Sequence, residues 1–94
     1  MYATVRHYGN AKALSDAMAN APHEVNEAIS AISGFITYIA TRDGDSMTSI
    51  TICENKEACD ESSRVAREWV KSHVSSPLSA PVINEGEIFI NFSK

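Results

Sequence analysis

The stretch that decides the fold runs from Ile32 to Glu54 and reads ISGFITYIATRDGDSMTSITICE. Two segments rich in Ile, Thr, Tyr and Phe flank the polar Asp43-Gly44-Asp45. An Asp-Gly pair supplies the positive φ that tight hairpin turns require. The stretch therefore predicts a β-hairpin with strands over Phe35–Arg42 and Ser46–Glu54. Successive side chains of a strand point to opposite faces, so Phe35, Ile36, Tyr38 and Ile39 cannot all share one face of a sheet. Both faces of this hairpin need cover.

Working outward, Leu14, Met18, Ala21, Val25, Ala28, Ile29 and Ile32 keep one apolar phase over eighteen residues, five turns at 3.6 residues per turn. The phase survives Pro22, so one long helix, bent or briefly broken at the proline, is expected ahead of two independent helices. Asn10 is the expected N-cap and Gly34 the left-handed residue that ends the helix. Before it, Tyr2–Tyr8 (YATVRHY) alternates as a strand, with Ala3, Val5 and His7 on one side and Thr4, Arg6 and Tyr8 on the other. After the hairpin, a helix is expected over Lys56–Val74. Its apolar stripe is Ala58, Ser62, Val65, Ala66, Trp69, Val70, His73 and Val74, and Lys56, Asp60, Arg64 and Glu68 form a solvated face of alternating charge. Ser75–Pro81 is a loop by composition, and a last strand is expected from Val82 to about Phe92, with an irregularity near Glu85-Gly86.

The order β-α-β-β-α-β is that of an α+β, ferredoxin-like fold with a four-stranded antiparallel sheet, one domain over residues 1–94. Right-handed crossovers put both helices on one face of the sheet. The other face is too apolar to stand in water and the chain has no layer left to cover it, which predicts pairing with the same face of a second copy in a two-fold dimer.

Composition narrows the function. The chain has a net charge of −4, with 44% hydrophobic and 21% charged residues. Without a basic run, nucleic acid and anionic membranes have little electrostatic hold. No apolar run approaches the roughly 20 residues of a membrane span, and MYATVRHYGN lacks the pattern of a signal peptide, so a cytoplasmic location is expected. Cys53 and Cys59 make no CxxC pair, and His7, His23 and His73 stand at no ligand spacing, so reduced cysteines and no metal are expected. An RNA-recognition module would want basic, aromatic central strands, and Ser46–Glu54 offers neither.

At this point the sequence resembles the antibiotic-biosynthesis-monooxygenase-like proteins, the dimeric α/β-barrel superfamily. The residues that carry the likeness are YATVRHY, the I-x-G-F step at Ile32–Phe35, the S-x-x-x-A-x-x-W-V segment from Ser62 to Val70, and EGEI from Glu85 to Ile88. The resemblance implies ferredoxin-like subunits paired face to face into a barrel, with a small-molecule cleft between sheet and helices. It also implies cofactor-independent oxidation of a small aromatic or quinol-type molecule such as an anthrone. The alternative within the same fold is a non-catalytic dimeric module that binds a small ligand or a partner. The haem-degrading branch carries an Asn near the end of the first strand, a Trp on the second helix and a His about ten residues on. Trp69 matches, whereas His7 and Ser79 stand at the other two positions.

The candidate site follows. If Ala3, Val5 and His7 face the helices, His7 and Trp69 share a cleft, and the imidazole is the candidate catalytic base that would deprotonate a phenolic substrate. Trp69, His73 and Met18 are the candidate substrate-pocket residues; each also has a plainer role, as core anchor, helix-terminal cation and gap-filler respectively. Tyr38 and Arg42 share one face of the second strand and are expected at the dimer face. No cofactor is required, because the substrate itself supplies the electrons.

Overall fold

A computed structural model describes residues 1–75 and 78–94. The elements run β1 (Tyr2–Tyr8), α1 (Lys12–Asn20), α2 (Pro22–Ser30), β2 (Phe35–Asp43), β3 (Ser46–Cys53), α3 (Lys56–His73) and β4 (Val82–Glu87). The four strands form one antiparallel sheet in the order β2-β3-β1-β4, the ferredoxin-like arrangement.

The expected long first helix is two. Ala21 adopts φ −137°, ψ 54°, outside the helical region, and Pro22 takes the first position of α2. A residue before proline is pushed out of the α region and proline itself suits a helix start, so the local sterics override the continuous apolar phase. Nor does Asn10 cap α1. It sits at φ +49°, Ala11 occupies the cap position, and no side chain closes the helix there. Gly34 holds the expected left-handed conformation at φ +86°, and a Cβ there would stand 3.2 Å from the Cβ of Ala58. Gly44 makes the hairpin turn at φ +58°.

The hairpin's excess of apolar residues is resolved by a bulge. Phe35 pairs with Cys53 and Thr37 with Ile52, so Ile36 is the extra residue. Two residues opposing one shift the alternation. Phe35 and Tyr38 therefore both pack toward the helices, while Thr37 and Ile39 join the open face. Tyr38 and Arg42 consequently lie on the helix side of the sheet, opposite Thr51 and Met47, not on the face expected to meet a second copy.

On β1 the buried side is Thr4, Arg6 and Tyr8. On β3 it is Met47, Ser49, Thr51 and Cys53. The core is two apolar clusters, one around Ile29, Ile32, Cys53, Ala58 and Cys59, the other around Tyr8, Ala11, Leu14 and Met47. Arg6 and its partners fall between them along the strands. Both cysteines are free and buried.

β4 stops at Glu87 instead of continuing to Phe92. Beyond it the Ile88 N–H still reaches the Met1 carbonyl at 2.9 Å, but Phe89, Ile90 and Phe92 are 88, 61 and 93% exposed. Of the expected Ser75–Pro81 loop, residues 76 and 77 lie outside the described residues. No helix is long and apolar enough to cross a membrane among those described.

Candidate functional site

Trp69 lies on the inward stripe of α3 and, with Met18 of α1 and Tyr8 and Tyr38 of the sheet, lines a cavity of about 40 Å³ between helices and sheet. Leu14, Val25, Ile29, Met47 and Val65 make the wall apolar. The cavity adjoins a more open cleft of about 310 Å³, whose lining includes Pro22, Ala40 and Arg42. Met18, Val25, Tyr38 and Met47 belong to both walls, so the two lie side by side as one compartment between sheet and helices. The helix break at Ala21 falls beside this cleft, whose lining takes Ala19 from the end of α1 and Pro22 from the start of α2.

The compartment's polar atoms are few. The Tyr8 and Tyr38 phenols are held above their ordinary value, mainly by burial, against the opposing pull of the Arg6 cation. Both are neutral hydrogen-bond donors at neutral pH. The Trp69 indole N–H is buried without an acceptor among the described residues. Behind this wall, lining neither the cavity nor the cleft, lies a cation that no sequence motif marks. Arg6 is 2% exposed, and its guanidinium donates to Thr51 Oγ1 at 3.0 Å, Ser62 Oγ at 2.8 Å and Ser63 Oγ at 2.8 Å. The signal was available in the small hydroxyl residues at inward positions of β3 and α3, which leave room and acceptors for a guanidinium.

Of the expected site residues, the structure gathers Trp69 and Met18. His7 is on the opposite side of the sheet, exposed, with Nδ1 hydrogen-bonded to Thr48 Oγ1 at 2.9 Å. It shares no cleft with Trp69, because the β1 side chains that face the helices are Thr4, Arg6 and Tyr8. His73 stands behind Trp69 rather than in the cavity. The two rings stack at 4.0 Å and 6°, with Nδ1 2.9 Å from the Trp69 carbonyl oxygen and Nε2 2.8 Å from Glu24 Oε2. It therefore orients the indole and ties α3 to α2. Tyr38 moves into the site from its expected place at the dimer face. Arg42 moves to the mouth of the cleft, where its Nη1 lies 3.3 Å from Asp16 Oδ1.

No family model matches the chain, and no curated protein does. Solved structures do. A mutant of MhuD with two manganese protoporphyrin IX molecules per active site superposes with a TM-score of 0.72 at 12% identity, covering 100% of both chains. A proposed antibiotic biosynthesis monooxygenase from Chloroflexus aurantiacus gives 0.69 at 13% identity, over 98% of this chain and 96% of its own. A mutant of SnoaB, a cofactor-independent oxygenase from Streptomyces nogalater, gives 0.67 at 11% identity, over 99% and 97%. The chain has the fold of the antibiotic-biosynthesis-monooxygenase-like proteins, as the resemblance implies. At these identities the likeness concerns the fold alone.

Proposed function

We propose that the compartment between sheet and helices binds a flat aromatic or quinol-type molecule and that the protein oxidises it with molecular oxygen without a cofactor. The observation that carries this reading is the apolar cavity walled by Trp69, Met18 and Tyr38 and flanked by the adjoining cleft. Oxygenases of the same fold, SnoaB among them, support the chemistry. An anthrone balances the reaction without outside electrons. The ring methylene loses two hydrogens and gains one oxygen atom, giving the quinone carbonyl, and the second oxygen atom leaves as water. His7 has no part in this reading, since the sheet separates it from the cavity.

A second reading, a ligand-binding module without catalysis, is favoured by one feature. The inner cavity's own proton-transfer groups are two tyrosines held neutral by burial. Oxygen uptake with a panel of anthrones and hydroquinones separates the two. Trp69→Ala removes one wall, and turnover is expected to fall by roughly 10- to 100-fold, in line with loss of substrate positioning. Binding of the quinone products with no oxygen uptake would leave the binding module standing. Full turnover in Trp69→Ala would move the site elsewhere.

The open face carries Val5, Ile39, Ile50 and Ile52, and pairing with a second copy through this face is part of the proposal. The exposed Phe89, Ile90 and Phe92 would add apolar area beside it.

A further inference from the structure

The inner cavity is too small for an aromatic ring. At about 40 Å³ it has room for a few water molecules, whereas a cavity that takes a single benzene is about 150 Å³. The adjoining cleft is wider, about 310 Å³, but Trp69 and Tyr8 line the cavity alone. A ring reaches Trp69 only if the partition between the two spaces moves. Four side chains are shared by both walls, Met18 and Val25 from the helices and Tyr38 and Met47 from the sheet.

Met18 and Val25 stand on the part of the fold that is held least. Residues 19–24, where α1 gives way to α2, include no buried side chain. The buried anchors lie at the far ends of the two helices, Ala11, Leu14 and Ser15 on one side and Ile29 and Ile32 on the other. Each helix has nine residues, and no side chain caps the start of either. Helices this short have little stability of their own. At the joint Pro22 offers no N–H. The turn is closed by two bonds of 3.2 Å, from the Ala21 N–H to the Met18 carbonyl and from the Val25 N–H to the Ala21 carbonyl. Two exposed contacts fasten the corner to the rest of the chain. Asp16 of α1 lies 3.3 Å from Arg42 of β2, and Glu24 of α2 lies 2.8 Å from His73 of α3. Exposed contacts of this kind are weak, so the fastening is one that local opening can release.

We propose that residues 16–25 form a flap over the inner cavity, turning about the buried anchors at its two ends, and that an aromatic ligand enters only when the flap lifts. The proposal rests on the binding reading above and adds how the ligand gets in. The structure shows the flap closed, with Met18 and Val25 between cavity and cleft. A bound ring takes the space they leave and holds the flap up, so the ligand competes with the Asp16–Arg42 and Glu24–His73 contacts. Apparent affinity is then lowered by the fraction of molecules that are closed. The flap lies on the helix side of the sheet, and pairing of two copies through the open face leaves it free to move.

Stopped-flow quenching of Trp69, the chain's one tryptophan, by an excess of 2-methoxyanthraquinone reads entry directly. The rate is expected to level off with rising dye concentration at the rate of flap opening, because opening precedes entry. Glu24→Gln and Asp16→Asn loosen the two fastenings at residues that line neither cavity nor cleft. Each should raise the plateau and tighten dye binding by roughly two- to fivefold. Glu27→Gln, on the same helix as Glu24 but in none of the ion pairs found among the described residues, should change neither. Circular dichroism checks that the variants fold. A rate that climbs linearly with dye and ignores both substitutions would overturn the flap and leave the pocket intact. Weaker dye binding in Glu24→Gln and Asp16→Asn would do the same, since that is the mark of a lost contact. Absence of any quenching would overturn the pocket reading and the flap with it.

Discussion

At the scale of single residues, Cys53 shows how burial sets chemistry. It is 0% exposed and lies in the apolar cluster with Cys59. Burial, with the hydrogen bond and repulsion from Cys59 added, pushes its thiol from 9.0 up to about 11. A thiol raised in the folded state contributes stability that is present below pH 9 and is lost as the pH rises toward 11, because the unfolded chain releases its proton first. The urea midpoint is therefore expected to hold level to about pH 9 and then decline. Cys53→Ala should shallow that decline without removing it, since the buried Tyr8 and Tyr38 phenols are raised in the same direction. A slope between pH 9 and 11 that Cys53→Ala leaves unchanged would contradict the assignment.

At the scale of elements, α3 is the part that holds the site together. Its stripe presents Cys59 and Ser62 to the sheet and Trp69 to the cavity. Its start is secured by Asn55, whose Oδ1 accepts from the Ala58 N–H at 2.9 Å. Asn55→Ala should cost about 1 kcal/mol in urea unfolding, the usual worth of such a cap. A cost near zero would mean that water replaces the side chain there. On the solvated face Lys56–Asp60 and Arg64–Glu68 pair at i,i+4, as the alternating charges predict. Exposed pairs of this kind add little to stability, because water and salt screen them. The first helical region was less legible. Periodicity reports which residues face the core, and it continued through Pro22, but it is silent about a backbone break that leaves the apolar phase intact.

For the whole molecule, the open sheet face is the largest consequence of the fold. Ile50, between β1 and β2 in the sheet, pairs with Val5 on one side and Ile39 on the other. A charge there would be desolvated in any face-to-face pair. Ile50→Lys is expected to weaken dimerisation by roughly tenfold or more while leaving helical content unchanged, as read by sedimentation velocity against the wild type. A wild-type chain that sediments as a monomer at micromolar concentration would remove the dimer and leave the fold unaffected.

The sequence by itself determined the element order, the hairpin turn at Gly44, the left-handed Gly34 and the presence of more apolar strand surface than one layer of helices covers. These are local or statistical properties, written in turn chemistry and periodicity. Only the tertiary structure decided which face of each strand turns inward. On β1 the more apolar alternating set, Ala3, Val5 and His7, is the one that faces out, so apolar content alone could not say that His7 goes out and Arg6 goes in. On β2 a single extra residue, Ile36, reversed the expected placement of Tyr38 and Arg42. Cross-strand register and the room left by Thr51, Ser62 and Ser63 settle both questions. Each depends on residues far apart in the chain, and together they moved the candidate site from His7 to the compartment of Trp69, Tyr38 and Met18.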